Sequence, residues 1–236
     1  GRAIAEAFLA EGAEVLATDK DETSGLAMAR AAGCAFLRLD VANEEDWAAL
    51  AERAPALDVL VNNAGVTGFE DGPAAHDPEH AELEAWRAVH RVNLDGVFLG
   101  CRYAIAAMKG RGAGSIINIS SIAGLIASDT MPAYNSTKAA VWMLSKSIAL
   151  HCAKKNMQIR CNSVHPTFVD TPILDGTATA HALDKDVLLE KLARQIPLRF
   201  VGEPNDIANA VVYLASDESR FMTGAEIKLD CGISAM

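Results

Sequence analysis

Short apolar runs alternate with longer segments of helical periodicity along nearly the whole chain of 236 residues. The strand-like runs are Glu14–Asp19, Cys34–Val41, Leu57–Val61, Ser115–Ile119, Gln158–His165 and Ala225–Asp230. The helical segments are Arg2–Ala10, Glu22–Ala32, Glu44–Ala54, Leu83–Met108, Ala133–Ala153, Asp186–Gln195 and Pro204–Ala215. Strands separated by helices of about ten residues or more are typical of βαβ units. We therefore predict one α/β domain over residues 1–236, with a doubly wound parallel sheet between two helical layers.

Composition and charge exclude several classes of protein. Half of the residues are apolar and 22% are charged, which is typical of a globular chain rather than a disordered or fibrous one. No apolar run approaches the roughly 18 residues of a membrane helix, so we expect no membrane partner. The net charge of -10 would repel a polyanion, which argues against nucleic acid as a partner. The five cysteines form no CxxC pair, so we expect no metal site and a reducing, cytoplasmic location.

The beginning of the sequence is unusual for a domain of this class. Gly1 is followed at once by the helical segment Arg2–Ala10, without a strand or a capping residue before it. Such a helix must pack against other elements, and in a doubly wound sheet it follows a strand. We therefore expect a strand and a loop to precede Gly1 in the natural protein, in about 15 residues or somewhat more.

Gly1 and Asp19 form half of a dinucleotide-binding fingerprint. That fingerprint has a glycine at the start of the first helix and an acidic residue about 20 positions later, after the next strand. The helix N-terminus would face a pyrophosphate, and the Asp19 carboxylate would accept hydrogen bonds from ribose hydroxyls. A carboxylate there repels a 2′-phosphate, whereas the neighbouring Lys20 would tolerate it. We predict NAD as the cofactor and regard NADP as less favoured.

A tyrosine and a lysine four positions apart provide the clearest chemical signal. Tyr134 and Lys138 lie near the start of a predicted helix, and residues four apart share one helical face. A nearby ammonium favours the phenolate, which allows a tyrosine to exchange protons near neutral pH. Ser121 follows the strand Ser115–Ile119 and would donate a hydrogen bond to the reacting oxygen. Asn93 lies inside an apolar helical segment, where an amide is unfavourable without a partner.

Taken together, these residues resemble the short-chain dehydrogenase/reductase family over essentially the whole chain. The matching positions are Asp19, Asp40–Val41, Asn62-Asn63-Ala64-Gly65, Asn93, Ser121, Tyr134, Lys138, Asn162, Pro166, Thr171, Thr223-Gly224 and Asp230. The resemblance implies a single-domain Rossmann-like sheet that lacks its first strand, with Gly1 as the last glycine of the family's TGxxxGxG opening. The sequence departs from the family at Thr167 and Cys231, where the family usually has glycine.

The resemblance also implies roles for individual residues. Tyr134 would be the general acid/base, Lys138 would lower its pKa and bind the nicotinamide ribose, and Ser121 would hold the substrate oxygen. Asn93 would anchor a water that links Lys138 to solvent. The implied catalytic set is Asn93, Ser121, Tyr134 and Lys138. The implied cofactor-binding set is Gly1, Asp19, Asp40, Val41, Asn62, Ala64, Gly65, Tyr134, Lys138, Pro166, Val169 and Thr171.

Residues 167–195 resemble the substrate lid of the family. This stretch contains Phe168, Ile173, Leu174, His181, Leu183 and Leu188, and the preceding loop from Val66 to Glu84 adds Phe69 and Pro73. That loop contains no lysine or arginine, which argues against an acidic substrate there. The segment Ile159–Pro172 resembles relatives that oxidise alicyclic alcohols and hydroxysteroids. His165 ends a predicted strand beside the expected nicotinamide site and is a candidate for substrate contact.

We therefore expect an NAD-dependent oxidoreductase that interconverts a bulky, mostly apolar secondary alcohol and its ketone. One alternative is an NADPH-dependent ketoreductase such as a 3-oxoacyl reductase, which Asp19 disfavours. A remote alternative is a non-catalytic nucleotide-binding scaffold, which would be expected to have lost at least one residue of the catalytic set. Relatives use helices equivalent to Leu83–Met108 and Ala133–Ala153 to associate, so we expect a homodimer or homotetramer.

Overall fold

The computed structural model describes residues 1–70, 77–180 and 183–236 and shows strands alternating with helices. Its strands are β1 (Leu16–Asp19), β2 (Ala35–Arg38), β3 (Val59–Asn62), β4 (Gly114–Ile119), β5 (Ile159–Pro166) and β6 (Glu226–Leu229). Its helices are α1 (Arg2–Ala10), α2 (Glu22–Ala32), α3 (Glu44–Arg53), α4 (Leu83–His90), α5 (Gly96–Met108), α6 (Pro132–Lys154), α7 (Pro172–Ala180), α8 (Lys185–Gln195) and α9 (Pro204–Ala215). The predicted order of elements is confirmed, with most ends shifted by only one or two residues.

All the described strand pairs are parallel. Strands β3, β4, β5 and β6 form one sheet in that order, and β1 pairs with β2 in a separate two-stranded sheet. Asn62 pairs with Asn118, which pairs in turn with Ser163, so the neighbouring strands run in step. Because every strand of such a sheet points the same way, the carboxyl ends lie along one edge, where ligands bind in open α/β sheets.

Helices cover the four-stranded sheet on both faces. One buried cluster joins α5 and α6 to β4 and β5 through residues such as Met108, Ile116 and Cys161. A second joins α1 and α9 to the opposite face of the same strands through Ile4, Val164 and Val211. Each sheet strand therefore buries side chains in both directions, which explains why its residues form near-continuous apolar runs. The predicted three-layer α/β/α architecture is confirmed.

Local sequence signals explain where several helices begin and end. The side chains of Asp21 and Asn43 accept hydrogen bonds from the first backbone N–H groups of α2 and α3, respectively. Gly33 ends α2 in the left-handed conformation with φ of 77°, which costs glycine little because it has no Cβ. Glu203 and Asp206 form a capping box at the start of α9.

Two sequence-based predictions require correction. The predicted continuous helix Leu83–Met108 is interrupted, because residues Arg91–Asp95 form a π-helical turn between α4 and α5. No helix is predicted between Ala153 and Asp186, but this part of the chain contains the helix α7, whose Leu174 and Ala178 pack against Leu188 of α8. Apolar contacts with a neighbouring helix stabilise α7 despite its threonines and glycine, because tertiary packing outweighs weak helix propensity.

Two features are absent from the part of the chain that the structure describes. None of the helices in the described ranges is long and apolar enough to cross a membrane. Within the same ranges, no group of three or more histidine, cysteine or acidic side chains is arranged to hold a metal ion. Pro73 and His181, which were predicted to line the substrate side, lie outside the described residues.

Candidate active site

The candidate site lies at the carboxyl edge of the sheet, where the first turns of α6 meet the ends of β4 and β5. Pro132 occupies the first turn of α6, where its fixed φ and missing N–H are tolerated. Gly124 lets the preceding 3₁₀ turn approach this helix, since a Cβ there would lie 2.7 Å from the carbonyl carbon of Lys138. This close approach brings Tyr134 and Lys138 up to the strand ends.

Lys138 is buried and held in a defined position. Its side chain is only 4% exposed, and its Nζ donates a hydrogen bond to the carbonyl of Ile119 at 2.9 Å. The same nitrogen lies 5.5 Å from the centre of the Tyr134 ring, as the YxxxK spacing predicts. Burial lowers the pKa of Lys138 to about 8 because the charged form loses its hydration.

The phenol of Tyr134 is also shifted by burial. Burial raises the pKa of Tyr134 above its usual value, a hydrogen bond from Ser121 acts in the opposite direction, and the charge of Glu70 raises the pKa further. Tyr134 thus meets the Ser121 hydroxyl and the Lys138 amine on one side of the crevice. In the structure, however, burial is the largest influence on the pKa of Tyr134, and it outweighs the lowering of that pKa expected from Lys138.

Ser121 is positioned by the turn that follows β4. Its side chain caps the 3₁₀ helix Ile122–Gly124 by accepting a hydrogen bond from the N–H of Ala123 at 3.1 Å. Its hydroxyl also lies 3.5 Å from the carbonyl of Pro166, at the end of the neighbouring strand β5. Ser121 therefore joins two adjacent strand ends, and its hydroxyl is placed to donate to an oxygen held beside Tyr134.

Asn93 lies in the π-helical turn and is completely buried. Its Nδ2 donates to the carbonyl of Val66 at 2.8 Å and to the Thr137 hydroxyl at 3.2 Å, while its Oδ1 accepts from the N–H of Val66 at 2.8 Å. A π turn inserts one residue into a helix and is frequent at functional sites. Asn93 thereby clamps the loop after β3 to α6, and Thr137 is a partner that the sequence did not reveal.

The residues at Gly65 fit a nicotinamide cofactor. A Cβ built on Gly65 would lie 3.3 Å from both Asn93 Oδ1 and Lys138 Nζ, so only glycine leaves the space above these two polar atoms open. This cradle follows β3, on the same edge as Ser121 and Pro166. A donor and an acceptor facing a glycine-lined crevice suit a ribose and its neighbouring ring.

Residues predicted for the adenosine half of the cofactor occupy the same edge. A Cβ on Gly1 would lie 3.2 Å from the Asn63 side chain, which brings the start of α1 to the end of β3. Asp19, the acidic residue of the same fingerprint, is the last residue of β1. Asp40 accepts a hydrogen bond from the N–H of Ala42 in the turn after β2.

Other predicted cofactor residues are held by contacts within the protein, and the Asn62 side chain is turned away from this crevice. The Asn62 side chain is buried and donates to Asn118 at 2.8 Å and to Cys101 at 3.6 Å, so it belongs to a polar network inside the core. Val169 is held by a parallel bridge to Gly202, and the Thr171 hydroxyl donates to the Val169 carbonyl at 3.3 Å. The loop after β5 is thus shaped by its own contacts.

The structure corrects the hypothesis for His165 and adds one residue. His165 is fully buried, with Nδ1 3.1 Å from the carbonyl of Ser121 and Nε2 2.9 Å from the Ser163 hydroxyl. It supports the backbone of Ser121 and has no exposed surface for substrate. The added residue is Glu70, whose charge acts on Tyr134 and raises the pKa of the phenol, although no motif in the sequence identified it.

Comparison with known proteins finds similar chains over the whole length of this one. The family model described as enoyl-(acyl carrier protein) reductase, of the adh_short_C2 type, matches residues 1–234. The NADP-dependent (R)-specific alcohol dehydrogenase of Lentilactobacillus kefiri is 40% identical over 100% of this chain and 92% of its own length. The 3-beta-hydroxysteroid dehydrogenase of Comamonas testosteroni is 37% identical over the same shares. A crystal structure assigned to the short-chain dehydrogenase/reductases of Burkholderia xenovorans has a TM-score of 0.85 and 36% identity, covering 100% of this chain and 90% of its own.

Proposed function

Because this chain belongs to the short-chain dehydrogenase/reductases, oxidoreductases that act on alcohol groups, we propose that it uses NAD to interconvert a bulky, mostly apolar secondary alcohol and its ketone. The observation that carries the proposal is the meeting of three groups at one sheet edge. The Ser121 hydroxyl lies near enough to the Tyr134 phenol to lower its pKa, and Lys138 Nζ lies 5.5 Å from the centre of the Tyr134 ring. These are a proton carrier, an oxygen holder and a cation in one crevice.

In the proposed reaction a bound nicotinamide would accept the hydride from the carbinol carbon, and the side chains of the protein handle the proton. Ser121 donates a hydrogen bond to the alcohol oxygen and keeps it beside the phenol. Tyr134 takes the hydroxyl proton during oxidation and returns it during reduction. Lys138 stabilises the phenolate by its charge, and Asn93 keeps the loop around Gly65 open against α6. The positions of these groups at the crevice support each of the proposed roles.

Asp19 supports NAD as the cofactor. It is the last residue of β1, and its Oδ1 accepts a hydrogen bond from the N–H of Asp21, which fixes the carboxylate at the strand end. A carboxylate there accepts hydrogen bonds from ribose hydroxyls and repels a 2′-phosphate. The relative from Lentilactobacillus kefiri is named as NADP-dependent, so titration with both cofactors decides the point.

An apolar cluster supports a bulky, apolar substrate. Leu174, Ala178, Leu188 and Leu192 pack together between α7 and α8, and Phe168 lies against them. These helices form most of the proposed lid, residues 167–195, next to the strand end that carries Pro166. The interior of the proposed lid is thus built from aliphatic and aromatic side chains, which supports an apolar substrate beneath it.

The decisive experiment measures reduction of NAD and NADP with cyclic alcohols and with 3- and 17-hydroxysteroids. We expect turnover with NAD at a higher kcat/KM than with NADP. Tyr134→Phe should abolish turnover while leaving NAD binding by calorimetry nearly intact. Tyr213→Phe, at an exposed tyrosine of α9, is the matched control and should retain activity. Activity restricted to sugars or acyl thioesters, or a fully active Tyr134→Phe, would contradict the proposal.

We further propose that the protein assembles as a homodimer or homotetramer through α5 and α6. Phe98 on α5 is 47% exposed, and Met143 and Leu150 on α6 are 54% and 62% exposed. Large apolar side chains exposed on neighbouring helices are typical of a subunit interface. Light scattering coupled to size-exclusion chromatography should show a mass that is a multiple of the chain mass, and a monomer at micromolar concentration would contradict the assembly.

A further inference from the structure

Glu70 holds a carboxylate in a fixed position beside the candidate site. One of its oxygens accepts hydrogen bonds from the N–H and the hydroxyl of Thr67, at 2.6 and 2.9 Å. The other accepts from the N–H of Gly68 at 2.8 Å. Three donors from the same turn therefore hold the Glu70 carboxylate in one position, whereas a surface carboxylate without such bonds would adopt several rotamers.

This turn is tied to the catalytic residues on one side and to the lid on the other. Asn93 bonds both backbone groups of Val66, which precedes Thr67, and Thr67 itself is only 8% exposed. On the lid side, a Cβ built on Gly176 of α7 would lie 3.9 Å from the Cα of Glu70. Glu70 thus lies between the lid helix α7 and the turn that Asn93 holds at the candidate site.

The charge of Glu70 has no cation to neutralise it among the ion pairs formed by the described residues. Residues 66–86 contain neither lysine nor arginine, so no such cation from its own segment can pair with Glu70. The charge of Glu70 also acts on the catalytic phenol. Burial is the largest cause of the raised pKa of Tyr134, and the charge of Glu70 raises it further.

We infer that Glu70 is a specificity-determining residue that selects neutral over anionic alcohols at the Tyr134 site. The inference rests on the proposed oxidation of secondary alcohols and names the charge class of its substrate. An anionic group on the substrate must share the crevice with a fixed carboxylate, whereas a neutral alcohol of the same shape meets no such repulsion. Two like charges about 8 Å apart at an effective dielectric constant of about 30 change a ratio of rates about tenfold.

The test compares two alcohols of one shape, 4-methylcyclohexanol and 4-hydroxycyclohexanecarboxylate, which differ in charge at the position opposite the carbinol. We expect the ratio of kcat/KM for the carboxylate over the methyl compound to rise about tenfold in Glu70→Gln. Glu79→Gln, which removes the same charge from an exposed position of the same segment, should leave the ratio unchanged. Added salt should raise the wild-type ratio, since screening weakens the repulsion. Equal ratios in the two variants would overturn the inference.

A second measurement separates this inference from the proposed function. Ultraviolet titration of phenolate absorbance follows the ionisation of Tyr134, with Tyr134→Phe as the baseline to subtract. Glu70→Gln should shift that ionisation to lower pH, and Glu79→Gln should not. If the protein oxidises none of the cyclic alcohols and hydroxysteroids, the proposed function fails while the titration still reports whether the charge of Glu70 acts on Tyr134. An unshifted titration in Glu70→Gln overturns the inference even in an active enzyme.

Discussion

Replacing Asn93 by alanine should strongly destabilise the fold, in addition to any effect on catalysis. The amide is fully buried and pairs with both backbone groups of Val66 at 2.8 Å, and with the Thr137 hydroxyl at 3.2 Å. Thr137 keeps a second partner in the carbonyl of Tyr134, but the two groups of Val66 lose the partner that Asn93 provides. An unpaired group inside a protein costs about 1–3 kcal/mol, so we expect a loss of about 3 kcal/mol in the free energy of unfolding.

Urea denaturation at fixed protein concentration measures this loss, because the stability of an oligomer depends on concentration. Asn205→Ala is the matched control: it makes the same chemical change at an exposed position in the first turn of α9 and should cost no more than about 0.5 kcal/mol. An Asn93→Ala variant as stable as Asn205→Ala would refute the claim that the Asn93 amide holds the loop after β3 to α6. It would mean that water replaces the amide freely and that the loop around Gly65 is held by other contacts.

Three further predictions concern the surroundings of the site. Gly124→Ala places a Cβ 2.7–2.8 Å from the backbone of Lys138 and Ala139, so α6 must move, and kcat/KM should fall about 100-fold with a lower melting temperature. Cys231 has a φ of 49°, so Cys231→Gly should raise the free energy of unfolding by about 1 kcal/mol in urea titrations. Because burial lowers the pKa of Lys138 to about 8, the unfolded chain binds more protons above that pH, so the stability of wild type relative to Lys138→Met should rise by up to about 1.4 kcal/mol per pH unit between pH 8 and 9.5. A flat difference would contradict this last prediction.

The fold and the central residues of the site could be predicted because their signals are local. An apolar run of five residues indicates a buried strand, and the four-residue spacing of Tyr134 and Lys138 holds in any α-helix. The departure from glycine at Cys231 also has a physical counterpart, since the chain there adopts a positive φ that favours glycine. In these cases a few neighbouring residues determine the geometry, so the sequence alone contains the information.

Other features depend on residues far apart in the chain. The π-helical turn at Asn93 forms where the amide meets Val66 and Thr137, which lie 27 and 44 positions away. A period of 3.6 residues cannot reveal such an insertion, so the helix looks continuous from sequence. Asn62 is similar: its position in the family's motif suggests a role at the cofactor, but Asn118 draws its side chain into the core. Long-range hydrogen bonds decide both cases.

The low dielectric of the site explains why the electrostatic expectation for Tyr134 was incomplete. Spacing alone suggests that Lys138 lowers the pKa of the phenol, because its positively charged ammonium group lies one helical turn away. The structure buries both groups, however, and burial disfavours every charged form: it raises the pKa of Tyr134 and lowers that of Lys138. The charged form of each group is therefore stabilised mainly when the other group is charged as well. A third fixed charge, that of Glu70, changes the pKa of Tyr134 from outside the motif. The proton affinity of the site is thus set by everything that faces the crevice, and a variant that changes only Glu70 tests that reasoning without touching the tyrosine or the lysine.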